Sequence, residues 1–357
     1  MKKKNQSTRI TAQQLADKLG ISAMTVSRAL NNRPYVDPKT RKRVIEAAKR
    51  LGYSPDLIAK SLAIRKSYTI GVVVPEITHS FFPEAIRGIE EVTYSQGYHL
   101  ILAHSAESVD RERDAIQTLE SKRVDGILIS TAQNASDFSH YKQLVEKGIA
   151  LVFFDRCVWG IGASCVGIDD EESARQITKH LLDHGYKRIA HLSGPPRISI
   201  SKARLRGYRK AMKESGYPIA EELIVESGLH ENGGYEAMVR ILDLPIKKWP
   251  RAVVAINDPA AFGAIRAIME RGLRIPEDIA IVGFSDDIRA GLLTPPLTTV
   301  RQPAFEVGRK AAQQLFAHIR GQEKSASQIE VQTELVIRRS CGCPYPEKKS
   351  NNIAGEV

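Results

Sequence analysis

Cysteine and aromatic residues are scarce in this chain: 357 residues hold four Cys and two Trp, and the aromatic share is 6%. Four cysteines, at 157, 165, 341 and 343, are too few for a disulfide-stapled secreted scaffold. Cys341-Gly342-Cys343 resembles half of a metal or redox site, but no second cysteine or histidine pair is spaced along the chain to complete tetrahedral zinc. Reduced, unliganded thiols and no metal or cofactor are therefore expected. Long apolar runs are missing as well. None approaches the ~18 residues of a membrane helix, and the basic start MKKKNQST lacks the apolar stretch of a secretory signal. The expectation is a cytoplasmic protein with no membrane partner. Catalytic signatures are absent too. There is no Gly-x-Ser-x-Gly elbow and no His-Glu-x-x-His, and Gly160-Ile-Gly162 does not sit in a G-x-G-x-x-G frame between strand and helix. No catalytic residue is assigned, and the chain is read as a non-enzyme.

Acidic residues are short in one place only. Met1 to Lys66 carries 16 Lys and Arg against 4 Asp and Glu, whereas the remainder is nearly balanced at 36 against 37. The net charge of +11 is thus a basic cap on a neutral body. Such a distribution suits a polyanion held by the cap, and no basic amphipathic helix with an aromatic face turns it toward a membrane.

What the cap does contain is a patterned stretch, Ile10 to Asn31. Ala12, Leu15, Ala16 and Leu19 fall at helical spacing behind a Thr11 cap, and Gly20 ends the helix. Ser22 caps a second helix whose Val26, Ala29 and Leu30 point back at the first. Its outer face keeps Ala23, Met24, Thr25, Ser27 and Arg28, small, methyl-bearing or hydrogen-bonding groups suited to the major groove of DNA. An ordinary helical hairpin is the plainer alternative, which the basic cap disfavours. After Asn32-Arg33-Pro34-Tyr35, Asp37-Pro38 starts a third helix to about Leu51, with Val44, Ile45, Ala48 and Leu51 as its core stripe. Ser54-Pro55-Asp56 opens a short helix, Pro55 to about Ala63, too short to stand alone and placed in a linker where a conditional switch belongs.

From Tyr68 the pattern becomes alternating strands and helices. Strand-like runs at 69–74, 99–103, 126–130, 150–154, 188–192, 252–256 and 279–284 alternate with amphipathic helices such as 83–96, 110–122, 172–184 and 203–215. This implies parallel sheets with right-handed crossovers. The units exceed one small sheet, and Cys165–Ile168 reads as a restart between two lobes. A last helix, 304–320, and strands 329–331 and 335–337 are left to be shared, so the chain should cross between lobes more than once. Ligands of such folds bind at the carboxyl ends of the strands.

Several motifs add a resemblance. Ser22-Ala-Met-Thr-Val-Ser-Arg-Ala-Leu-Asn31, Asp37-Pro-Lys-Thr-Arg41, Gly52-Tyr-Ser-Pro55 and Ala59-Lys-Ser-Leu62 look like the head and hinge of the lactose-repressor (LacI/GalR) family. Val124-Asp-Gly-Ile127, Gly194-Pro195, Arg204 with Gly207-Tyr208, Asn257-Asp258, Gly272-Leu-Arg-Ile-Pro276, Val282-Gly-Phe284 and Pro296-Leu-Thr-Thr-Val-Arg-Gln302 extend the likeness through the body. The resemblance spans roughly residues 9 to 340. It implies an α/β protein with a helix-turn-helix head at 1–53, a hinge and linker at 54–67, a periplasmic-binding-protein-like two-lobed body at 68–345 and a polar tail at 346–357. It further implies a homodimeric regulator, expected to be a repressor, whose affinity for a pseudo-palindromic double-stranded DNA operator is set by a small effector. That effector is expected to be a sugar or sugar acid. No leucine heptad follows Cys343, so a dimer without the tetramer-forming tail of the family's namesake is expected.

Carried over by position, base reading falls on Ala23, Met24 and Arg28, and Leu62 matches the hinge leucine wedged into the minor groove. The expected DNA-contacting set is Thr11, Ser22, Ala23, Met24, Thr25, Ser27, Arg28, Asn31, Tyr35, Ala59, Lys60 and Leu62. The expected effector set is Phe81, Phe82, Asp155, Arg156, Arg204, Asn257, Asp258 and Asp286. Aromatic rings offer faces to a sugar ring, and Asp, Asn and Arg offer partners for hydroxyls. Arg204, with Arg156 as a second cation, mildly favours an acidic ligand. Phe81 and Phe82 also suit an ordinary core, and Asp155 an ordinary cap. Ser285 stands where the family often has aspartate after Gly-aromatic, and Leu229 where some members have an aromatic ring, so no particular sugar carries over.

Overall fold

The computed structural model describes residues 10–53, 66–135, 137–323 and 325–343. The expected hinge helix, with Ala59, Lys60 and Leu62, and the polar tail lie outside the described residues. The chain divides into two compact units, Met1–Ser67 and Tyr68–Val357.

The first unit is three helices, α1 (Ala12–Leu19), α2 (Ala23–Leu30) and α3 (Pro38–Arg50). Each starts on the cap its sequence predicts. Thr11 closes a capping box with Gln14, Ser22 accepts from the Thr25 N–H, and Asp37 accepts from the Thr40 N–H ahead of Pro38. Leu15, Ala16, Val26, Ala29, Val44, Ala47 and Ala48 form the core. Ile45 is not part of it, being 49% exposed, and Ala47 takes its place. The reason is geometric: 44, 47, 48 and 51 follow the i, i+3, i+4, i+7 rule, and residue 45 lies off that stripe.

The second unit has two parallel sheets. The first contains β1 (Thr69–Val74), β2 (His99–His104), β3 (Gly126–Ile129), β4 (Ala150–Phe154), β5 (Ser164–Gly167) and β11 (Gln328–Glu330), in the order β11-β5-β4-β3-β1-β2. The second contains β6 (Ile189–Ser193), β7 (Ile224–Glu226), β8 (Ala252–Ala255) and β9 (Ala280–Val282), ordered β7-β6-β8-β9. Central strands such as TIGVVV are apolar without alternation because helices cover both faces. Those of the first lobe are α4 (Phe81–Ser95), α5 (Val109–Ser121), α6 (Ser139–Glu146) and α11 (Ala304–Ile319). The second lobe has α7 (Asp170–Asp183), α8 (Ser199–Glu214), α9 (Glu231–Leu242) and α10 (Asp258–Glu270).

Cys165–Ile168 is not a restart. Its strand, β5, lies between β4 and β11 in the first sheet, and the lobe changes just after it, at α7. The strands β7 and β10 (Thr299–Arg301), each three residues long, carry too little sequence signal to be anticipated. Among the described residues the chain crosses three times: after β5, from β9 through β10 to α11, and from β11 through β12 (Glu334–Val336) to Ser340 beside β9. There β10 and β12 pair antiparallel, and the Ile281 N–H donates to the Ser340 carbonyl.

Two expectations about cysteine need correction. Cys157 and Cys165 are joined in a disulfide, their Cα atoms 5.9 Å apart, because the chain after β4 doubles back to lay β5 along it. Cys341 and Cys343 are free thiols, as expected, but a suitably spaced histidine pair does exist: His180 and His184, four residues apart, lie beside them.

Candidate functional site

In the head, the outward face of α2 is narrower than its periodicity implies. Ser22 and Thr25 are occupied with each other, their hydroxyls 2.9 Å apart, and Ala23 is half-buried against the head core. Met24 (63% exposed), Ser27 and Arg28 remain free to face a groove. Asn31 caps the end of α2 and its amide donates to the Ser27 carbonyl. Tyr35 is 94% exposed on a backbone with φ 70°, and Thr11 is an exposed cap. This leaves one long apolar group, one hydroxyl and one guanidinium on consecutive turns, a donor fork beside a methyl-seeking surface.

In the body, a cleft opens where the carboxyl ends of both sheets meet. It takes in about 560 Å³, open mouth included. The first lobe supplies Glu76 to Phe82 after β1, Glu107 after β2, and Asp155 and Arg156 after β4. From the second lobe come Ile200 and Arg204 of α8, Leu229 and His230, Asn257 and Pro259, and Ser285 and Asp287, with Gln302 from the second crossing. Most are placed by strand or helix ends, as expected of parallel α/β sheets, and Arg204 reaches in from the second turn of α8.

Three polar contacts hold the lobes together across the cleft. His79 Nε2 lies 3.1 Å from His230 Nδ1, the Ser80 hydroxyl donates to Asp287 at 3.1 Å, and the Cys157 N–H donates to the Ser199 hydroxyl at 3.3 Å. Burial lowers the His79 imidazole below its ordinary 6.5, so the closed arrangement prefers it neutral.

Of the expected effector residues, Phe81, Phe82, Asp155, Arg156, Arg204 and Asn257 come together here. Phe82 is mostly core, edge-on to Phe81 and Phe154, and Phe81 is the ring with surface to offer. Asp155 sits at φ 62°, and burial pushes its carboxyl up to about 6. Asn257 caps α10 and donates its amide to the Leu229 carbonyl, tying two cleft walls. The two arginines are already matched. Arg156 donates to both Glu107 oxygens at 2.9 Å and to the Thr131 carbonyl. Arg204 donates to Asp170 at 2.7 Å and to the Ile256 carbonyl at 2.6 Å, stacked 3.7 Å over Phe284. With Glu76, Glu107, Asp155 and Asp287 also in the lining, no surplus of positive charge awaits an anion, which removes the basis for preferring an acidic ligand.

Asp258 and Asp286 do not line the cleft. Asp258 is fully buried at the start of α10, accepting from the Thr299 hydroxyl and the Asp287 N–H at 2.7 Å each, and burial pushes it up to about 7. Asp286 turns to the crossings and pairs with Arg301 and Arg338. Its neighbour Asp287 faces the cleft instead. Glu107, His230, Asp287 and Gln302 carry no motif of their own, and only the fold assembles them.

A helix-turn-helix head and a two-lobed body with a cleft at its strand ends together define a DNA-binding regulator answering to a small molecule. Residues 11–56 match the model described as bacterial regulatory proteins, lacI family, and residues 178–341 match a periplasmic binding protein-like domain. The chain is 32% identical to catabolite control protein A of Priestia megaterium over 93% of its own length and 99% of that protein's. Against the HTH-type transcriptional repressor PurR of Pasteurella multocida it is 35% identical, covering 92% and 98%. Among solved structures, it superposes on the Lac repressor dimer bound to operator and the anti-inducer ONPF with a TM-score of 0.83 at 26% identity, covering 94% and 99%. The CelR–cellobiose complex gives 0.71 at 30%, covering 93% and 100%. The chain belongs to the LacI family and is a DNA-binding transcription regulator with an effector-binding body. No described helix is long and apolar enough to cross a membrane.

Proposed function

We propose that this regulator is a homodimeric repressor whose affinity for a pseudo-palindromic operator is set by a neutral carbohydrate held between the two lobes. The observation that carries the reading is the cleft itself: one accessible aromatic ring, Phe81, beside carboxylate and amide groups from both lobes, with its cations already neutralised. An aromatic face with hydroxyl partners around it fits a sugar ring better than a charged ligand. The operator-bound Lac repressor dimer and the cellobiose-bound regulator among its structural neighbours agree with this reading. Asp155 and Asn257 take hydroxyls, and Arg204 donates to the ring with the guanidinium N–H groups not committed to Asp170 or to the Ile256 carbonyl.

For the ligand to act it must prefer one lobe arrangement, since equal affinity for both shifts nothing. A coupling of about 1–3 kcal/mol changes operator affinity roughly 5–150-fold. Calorimetry over a panel of neutral sugars and uronates, followed by gel shifts with each binder, is the test. The expected ligand is neutral, moves operator affinity, and loses affinity to Asp155→Asn and Arg204→Ala. A ligand that moves operator affinity yet binds both variants normally places the site elsewhere, and a uronate as the tightest binder refutes the neutral class.

A further inference from the structure

We propose that His180, His184, Cys341 and Cys343 form a zinc site that fastens the third crossing of the chain to the end of α7. The four come from two segments some 160 residues apart and lie outside the effector cleft. His180 and His184 are one helical turn apart on α7 and its C-cap, so both rings project from one face. Cys341 and Cys343 sit on the segment that Ser340 binds to β9, and Gly342 between them has φ 89°, which lets both thiols turn the same way.

The distances among His180, Cys341 and Cys343 are close to those of a coordination polyhedron. Zn–S bonds of about 2.3 Å and Zn–N bonds of about 2.0–2.1 Å at tetrahedral angles put N and S about 3.6 Å apart. Nε2 of His180 lies 3.3 Å from Cys341 Sγ and 3.6 Å from Cys343 Sγ, and these three ligand atoms are within 4.8 Å of one another. His184 Nε2 is 2.9 Å from Cys343 Sγ but lies outside the group formed by the other three ligand atoms, so its exposed ring has to shift to take the fourth position. Its Nδ1 donates to the His180 carbonyl at 2.8 Å, which leaves the Nε2 lone pair for a ligand. The Thr298 hydroxyl donates to the fully buried Cys341 sulfur at 3.1 Å, an outer partner of the kind that steadies a thiolate. Two imidazoles and two thiolates form a Cys₂His₂ set, which favours zinc over magnesium or calcium.

The full-length protein, reduced and stripped of metal, is titrated with cobalt(II) and then with zinc. The expected result is one cobalt per chain with a thiolate charge-transfer band and strong tetrahedral d–d bands, both abolished by zinc. Outer-shell partners alone are worth about 10–100-fold, so Cys343→Ser and His184→Ala should weaken binding by more than about 100-fold and by at least about 10-fold respectively. Both positions are partly exposed, so these variants should fold, whereas Cys341 is buried. His79→Ala, in the separate Glu76, His79 and His230 group at the cleft, is the control and should bind normally. Zinc should also raise the thermal midpoint of the parent and not of Cys343→Ser. Weak octahedral spectra, unchanged affinity in both ligand variants, or loss of binding in His79→Ala would each overturn the proposal.

Discussion

At the scale of single residues, two positions make opposite use of charge. Arg28 is a guanidinium held out from α2, and its removal by Arg28→Ala should cost about 1–3 kcal/mol of specific operator binding and relax one base position per half-site. Binding-site selection with the variant checks this; an unchanged base preference removes Arg28 from the readout. His191 is the inward case. Its ring stacks on Tyr208, Nδ1 donates to the Val254 carbonyl at 3.0 Å, and burial lowers it to about 4. The sign follows from that depression. Unfolded chains take up the proton near the ordinary 6.5 and the folded one only near 4, so stability is intact above about 6.5 and falls as pH drops between them. By about pH 5 the loss is on the order of 2 kcal/mol. Denaturant midpoints at neutral and mildly acidic pH measure it, and His191→Phe should flatten that slope.

At the scale of elements, α4 and α11 cross at glycines. A Cβ on Gly308 would lie 1.9 Å from the Ala85 carbonyl oxygen, and one on Gly88 would lie 2.1 Å from that of Phe305. Backbone cannot yield as a side-chain tip can, so Gly308→Ala should destabilise the body by about 1–3 kcal/mol or more, read as a lowered thermal midpoint. Elements of this kind are mostly legible in the sequence. The apolar runs of β1 and β4 and the caps of α1 to α3 fix their own positions because the signal is local. Partnership is not local. Nothing within Ser164–Gly167 says that it joins β4 rather than starting a new sheet, and the three residues of β7 are too few for any period. The cleft divides the same way. Asp155, Arg204 and Asn257 could be reached through motifs, whereas His79 and His230 meet across 151 residues and His180 meets Cys341 across 161. Asp287 and not Asp286 faces the cleft, because a left-handed turn at Ser285 and Asp286 (φ 127° and 58°) decides which carboxylate does, and motif position does not show that turn.

At the scale of the whole body, the closed lobes should respond to acid. Closure holds His79 below 6.5, against His230 and near the charges of Glu76, Asp287 and Arg289. Lowering pH through about 6.5 therefore favours parted lobes through this group. Asp155, held up to about 6, pulls the other way. The His79→Asn variant separates them: affinity for any ligand of the closed form should weaken less on acidification than in the parent. The three crossings have a different consequence, for synthesis. The first lobe is left without its edge strand β11 and its helix α11 until the entire second lobe has been made. A chain emerging from the ribosome in order must carry an open β5 edge and the bare glycine face of α4 throughout that interval. When residue 282 emerges the second lobe has all four strands and all four helices and lacks Phe284, Ala290, Leu297 and Val300 of its core and the segment beside β9, so the part translated later is the part nearer to completion.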